Sequence, residues 1–201
     1  MNRPRPVPQD RPRIVVGISG ASGAVYGKRM LEILREMEVE THLVISNAAR
    51  ITIASETDFT PADLERIATV THSNKDIGAS CASGSFRTVG MIVAPCSVKT
   101  LSEIATGMTS SLLARAADVT LKERRRLVLM LRETPLHLGH IRSMAAVTEM
   151  GGIVYPPVPA FYARPATIQD MVDHSVGRVL DLFDLNSGLS HRWQGLQAQA
   201  D

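Results

Sequence analysis

Apolar residues follow two alternating rhythms along this chain. Unbroken runs, RIVVGIS (13–19), THLVIS (41–46), VGMIVAPCS (89–97), RLVLML (126–131) and GIVYPP (152–157), read as strands. Runs rich in β-branched residues with no polar face belong to strands buried on both sides. Between them, apolar residues recur every third or fourth position, the period of an amphipathic helix. This predicts helices over 24–38, 47–57, 60–70, 97–107, 110–125, 137–152 and 167–183. The helix over 60–70 opens on Thr60 and Pro61 with acidic residues in its first turn, a strong start signal. The polar stretch 72–88 reads as a loop, and no internal repeat is present.

Strands alternating with helices imply an α/β fold with a mostly parallel sheet covered on both faces. Ligands of such sheets sit beyond the carboxyl ends of the strands. That rule selects segments 17–27, 46–57, 95–100, 132–134 and 156–164, where glycines and polar residues gather.

The first of these is GISGASGAVYGKR (17–29). A nucleoside-triphosphate loop needs glycine where Ser22 stands and a hydroxyl where Arg29 stands. The dinucleotide fingerprint fails as well, because Gly17, Gly20 and Gly23 are three positions apart throughout, G-x-x-G-x-x-G. Two readings remain: a cradle for one monophosphate, with Ser22 as its hydroxyl donor, or a tight turn whose glycines permit close helix–sheet packing. Lys28 and Arg29 fall on the following helix, outside the site. A similar turn, APCSVKT (94–100), puts Ser97 at a helix N-cap with Thr100 one turn on. Cys96 stands beside a helix start, which lowers thiol pKa values, but no histidine base has an evident place, and it reads as a small buried thiol.

Composition narrows the classes. A chain of 201 residues suits one domain, expected over 13–195, with tails at 1–12 and 196–201. The first tail carries prolines at 4, 6, 8 and 12 and no apolar stretch of the signal-peptide kind. A net charge of +2 gives no footprint for nucleic acid; the basic run KERRR (122–126) reads as a solvated helix end. No apolar run approaches the roughly 18 residues of a membrane helix. Cys81 and Cys96 are too few for a disulfide framework. These features predict a cytoplasmic protein that does not engage membranes. With 4% aromatic residues, a flat ligand is held mostly by backbone, aliphatic and polar groups.

GASGAVYG, ISNAA, SETD, APCSVKTLSEIATG, ARAADVTLKERR, LRETPLHLGHIRSM, PPVPAFYARP and RVLDLF, in that order, resemble the UbiX/Pad flavin prenyltransferases over about 13–195. The resemblance implies a Rossmann-like three-layer α/β/α sandwich with strand order 3-2-1-4-5-6, usually dodecameric. It implies joining the dimethylallyl group of dimethylallyl phosphate (the diphosphate in some fungal members) to N5 and C6 of reduced FMN. The family needs no metal, places the flavin between subunits and supplies prenylated FMN to a UbiD-type decarboxylase. By the same resemblance, Gly20, Ala21, Ser22, Ser46, Ser97, Val98, Lys99, Thr100 and Arg132 contact FMN. Lys122, Tyr162 and Arg178 hold the donor phosphate, while Glu56, Glu133 and Arg115 join Lys122 in the catalytic set. These residue types suit the reaction: a departing phosphate needs fixed cations, and closing a ring at C6 needs a proton acceptor.

Two departures stand out. Ile77 occupies a loop position where some members carry tryptophan, and Leu131 a position often held by proline. Two alternatives share the flavin contacts. A flavin-dependent cysteine decarboxylase calls for an asparagine-containing turn in place of PCSVKT, and a delivery subunit has no use for Lys122, Glu133, Tyr162 and Arg178 together.

Overall fold

The computed structural model describes residues 11–190. The first ten residues of the expected N-terminal tail, the last stretch of the expected domain (191–195) and the C-terminal tail lie outside the described residues. Strand β1 (Arg13–Ile18) leads into helix α1 (Ala24–Glu36), then β2 (Glu40–Ile45), α2 (Asn47–Glu56), α3 (Pro61–Ile67) and β3 (Val70–Ser73). The second half runs β4 (Gly90–Cys96), α4 (Val98–Ala105), α5 (Leu112–Lys122), β5 (Arg126–Leu131), α6 (Leu138–Glu149), β6 (Ile153–Val154) and α7 (Ile168–Asp181). Among the described residues the strands form one six-stranded sheet in the order β3-β2-β1-β4-β5-β6, every pairing parallel. This is the expected α/β architecture.

β3 lies where the sequence predicts a helix end and a polar loop. It is an edge strand paired with β2 alone (His42 opposite Val70, Ile45 opposite Ser73), and Val70, Thr71 and Ser73 are exposed. Such a strand carries no buried run to announce it. Elsewhere strand alternation divides the core in two. Ile14, Val16 and Ile18 of β1 pack with Met30, Leu31 and Leu34 of α1 and with Val172, Val176 and Val179 of α7. Val15, Met91 and Val93 face the other way, toward Leu101 of α4, Leu113 and Ala117 of α5 and Val147 of α6.

Arg29 joins α1 to α7 through a bidentate pair with Asp173, Nε to Oδ1 at 2.8 Å and Nη2 to Oδ2 at 3.2 Å. Lys28 pairs with Glu32 at 2.5 Å. Both cations are thus used along α1, outside the glycine turn. α6 buries only Val147 of its residues, leaving Leu138 60% and Ile141 50% exposed.

Candidate active site

The turns after four neighbouring strands are tied together by backbone and hydroxyl hydrogen bonds. The Ser46 N–H donates to the Ile18 carbonyl at 3.0 Å, joining the β2 turn to β1. Ser19, just past β1, donates its N–H (3.1 Å) and its hydroxyl (3.0 Å) to the Pro95 carbonyl. Its oxygen accepts from the Ser97 N–H at 2.7 Å. The Arg132 N–H donates to the Cys96 carbonyl at 3.0 Å, adding the β5 turn. Gly20, Ala21, Ser22, Ser46, Ser97 and Arg132, distant in sequence, therefore lie along one edge of the sheet. The junction of β1 with β4 is the point where strand order reverses, the place such sheets bind ligands.

Each turn is built for a helix start. Ser46 caps α2, its Oγ accepting from Ala49 N–H at 3.1 Å. Ser97 caps α4, accepting from Thr100 N–H at 3.3 Å and reaching the Thr100 hydroxyl at 3.3 Å. These serines meet the ordinary needs of helix ends and leave the first amides of each helix pointing out of the sheet edge. Val98 begins α4; Lys99 turns its ammonium along the helix to Glu103 at 2.6 Å, so only its backbone faces the turn. A Cβ on Gly20 would stand 2.4 Å from the Ala48 Cβ, so this loop and α2 meet too closely for any side chain.

The start of α1 is different. Gly23 is left-handed (φ 102°), and no side chain at that position caps the helix. Glu56, from the far end of α2, does so instead: its Oε1 accepts from Gly23 N–H at 2.7 Å and Ala24 N–H at 2.9 Å. Partial desolvation pushes the Glu56 carboxyl up. Donation from Ala24, Ser22 and Gly23, with the charge of Arg132 nearby, outweighs it and holds the group below the usual carboxylate range. Glu56 is therefore an anion at neutral pH, seated at the positive end of α1. The monophosphate reading of this turn is narrowed accordingly, because two of its amides already serve the chain's own carboxylate. The packing reading holds for Gly20.

Arg132 is exposed and forms no ion pair among the described residues, Glu133 included. Glu133 is half-buried, its Oε1 accepting from Thr134 N–H at 3.0 Å. Tyr162 lies on a short 3₁₀ turn (Phe161–Ala163) past β6, half-exposed. Its hydroxyl lies 3.3 Å from Nε2 of His174 on α7, a contact with no signal in the sequence. Arg178, one helical turn after His174, pairs with Asp181 at 2.9 Å. Arg115, near the start of α5, pairs with Asp118 at 2.7 Å.

Lys122 is not brought to this edge. It ends α5, before β5 begins, while Arg132 follows β5, so the length of a strand, roughly 20 Å, separates them. There Lys122 pairs with Glu123 at 2.5 Å. His137 caps α6, accepting from Gly139 N–H at 3.0 Å, and stacks on His140 with centroids 3.6 Å apart.

Burial raises the Cys96 thiol far above the ordinary range, with a smaller opposing effect from the Leu101 amide, and pushes Cys81 up to about 11. Neither is a nucleophile. Both are expected to resist a thiol-reactive disulfide at pH 8 and to react when the chain is unfolded; stoichiometric labelling of the native protein would contradict this.

A parallel sheet with four stitched turns at its switch point defines an α/β protein whose candidate site gathers helix-start amides, serine hydroxyls and the Arg132 guanidinium at one edge. A flavoprotein family model matches residues 3–180. Flavin prenyltransferase UbiX of Thauera aromatica is 60% identical over 183 residues, 91% of this chain and 94% of that protein. The crystal structure of AnUbiX (PadA1) in complex with FMN and dimethylallyl pyrophosphate superimposes with a TM-score of 0.91 at 52% identity, covering 93% of this chain and 100% of that one. A dodecameric FMN-dependent UbiX-like decarboxylase from Escherichia coli O157:H7 gives 0.89 at 49% identity, over 91% and 100%. The chain belongs to the flavoprotein family and, within it, to the UbiX flavin prenyltransferases. Among the described residues no helix is long and apolar enough to cross a membrane.

Proposed function

We propose that this chain joins the dimethylallyl group of dimethylallyl phosphate, or of the diphosphate, to N5 and C6 of reduced FMN, and that a UbiD-type decarboxylase receives the prenylated FMN. The observation that carries this reading is the stitching of four strand-end turns around Arg132, which gathers the residues expected to contact FMN on one edge. The donor set fits the group: helix-start amides and the strand-end serine hydroxyls suit a ribityl phosphate, with Ser22 shared with Glu56, and Arg132, in no ion pair among the described residues, adds positive charge beside that carboxylate. Reduced FMN supplies the electron-rich nitrogen that takes the allyl carbon as its bond to phosphate oxygen breaks.

The chain's own task is to hold the two substrates and manage charge and protons. Tyr162 and Arg178 receive the departing phosphate. Lys122, at the opposite end of the sheet, fits that role only when contributed by a neighbouring subunit. A homo-oligomer such as a dodecamer answers this and accounts for the exposed apolar residues Leu138, Ile141 and Phe161. Glu56, held ionised, is suited to accept a proton rather than to give one, and Glu133 stands beside Arg132 as the second carboxylate. Arg115 adds positive charge.

The test is anaerobic incubation of purified protein with reduced FMN and each donor, followed by the mass of the released flavin. Addition of one five-carbon unit is expected; unchanged FMN with both donors would overturn the reading. Glu133→Gln is expected to retain FMN and to slow prenylation by about a hundredfold or more. Wild-type turnover in that variant would remove Glu133 from the chemistry.

A further inference from the structure

We propose that His174 is a positioning residue that aims the Tyr162 hydroxyl at the phosphate of the prenyl donor. This rests on the functional reading above, in which Tyr162 contacts that phosphate. The Tyr162 side chain needs support, because its turn follows a two-residue strand in a proline-rich loop and the neighbouring Phe161 is 72% exposed. His174 supplies it: the His174 ring is buried, meets the tyrosine ring edge-on with centroids 5.7 Å apart, and puts Nε2 3.3 Å from the hydroxyl.

His174 is also unusually well fixed. Asp173 before it is clamped by the Arg29 guanidinium through two hydrogen bonds. Ser175 after it donates to the Met171 carbonyl at 2.9 Å and is engaged by the Tyr26 hydroxyl. The turn of α7 bearing His174 is thus pinned to α1 on both sides of the ring. Four residues further along the same helix face stands Arg178, so one rigid surface presents both the support for Tyr162 and the second phosphate-binding group. These side chains share a neighbourhood: the Tyr155 phenol, raised chiefly by burial, also feels Arg178, Tyr162 and Tyr26.

Hydrogen-bond valence fixes the roles. A tyrosine hydroxyl has one proton to give. If that proton goes to a phosphate oxygen, the tyrosine oxygen must accept from His174, which requires the proton on Nε2. The distance of 3.3 Å is long for a hydrogen bond and is expected to shorten with the donor in place.

Binding of dimethylallyl phosphate to protein carrying oxidised FMN, where no turnover occurs, reads this directly by calorimetry. Tyr162→Phe and His174→Leu are each expected to weaken binding about tenfold, the double variant no further, and His174→Gln, which keeps an N–H near the Nε2 position, by no more than about threefold. FMN affinity is expected to stay at the wild-type value throughout. Losses that multiply in the double variant, or wild-type binding in His174→Leu, would overturn the assignment. The wild-type protein gives a check independent of any variant's folding: nitrogen NMR is expected to find His174 in the Nε2–H tautomer, with that resonance moving on donor addition. The Nδ1–H tautomer, or an unmoved resonance, contradicts it. A wild type that binds the donor yet leaves reduced FMN unchanged in mass would sink the functional reading alone; a wild type that does not bind the donor sinks both.

Discussion

Replacing Glu56 with alanine is expected to loosen the start of α1 and abolish turnover together, whereas glutamine is expected to separate the two effects. The carboxylate takes the Gly23 and Ala24 amides at 2.7 and 2.9 Å. Loss of such a cap costs about 1 kcal/mol. An amide oxygen can still accept from both, so Glu56→Gln forfeits only the charge–dipole part, about 0.5 kcal/mol. Chemistry should respond differently. A group that accepts a proton in the reaction contributes about 10² to 10⁴ in rate, and glutamine loses all of that while remaining folded and able to bind flavin. The pH dependence follows from the depressed carboxyl. Its stabilising contribution is complete above the unfolded-state value of about 4.3 and is lost as pH falls through the lower folded-state value. The melting-temperature gap between wild type and Glu56→Gln should therefore narrow as pH falls below about 4. Wild-type prenylation in the glutamine variant would confine Glu56 to capping; a gap that does not change with pH would contradict its ionised state.

Edge position and helix direction decided what could be read in advance. Strands buried on both sides announced themselves, and the helices end within a few residues of expectation: 24–38 was expected where Ala24–Glu36 forms. β3 was hidden because an edge strand with exposed side chains has no apolar run. The turns of the site were legible because glycines and serines cluster where strands end. The partnership of Glu56 with α1 was not, since it spans 33 residues and depends on where α2 finishes. Ser19 reads in the sequence as the last residue of a strand run, although its hydroxyl ties β1 to β4. Lys122 had an available signal. A helix crossing between parallel strands runs back along the sheet, so its last residue reaches the edge opposite the ligand.

Gly27 controls the site without standing in it. A Cβ there would lie 2.4 Å from the Ala94 carbonyl oxygen and 2.9 Å from Ile18 Cδ1. The first of these is strand backbone, with little freedom to move. The next residue, Pro95, offers the carbonyl that holds Ser19 through both its amide and its hydroxyl. Pushing α1 off β4 therefore pulls at the stitch between the first and fourth strand turns. Overpacking of this kind costs about 1–3 kcal/mol, and in a protein of this size each kcal/mol lowers the melting temperature by about 2–4 °C. Gly27→Ala is expected to melt at least about 2 °C lower and to bind FMN more weakly, and Gly27→Val to lose bound flavin altogether. Gly84 is the control. The atoms nearest a Cβ there are the ends of the Glu123 and Lys122 side chains, at 2.1 and 2.8 Å, which can swing away, so Gly84→Ala should melt within about a degree of wild type. If Gly27→Ala kept wild-type melting and flavin content, close helix–sheet contact would not be what this glycine provides. The expected contrast places the requirement for glycine in the backbone of β4, and makes flavin retention a consequence of packing on the far side of the turn.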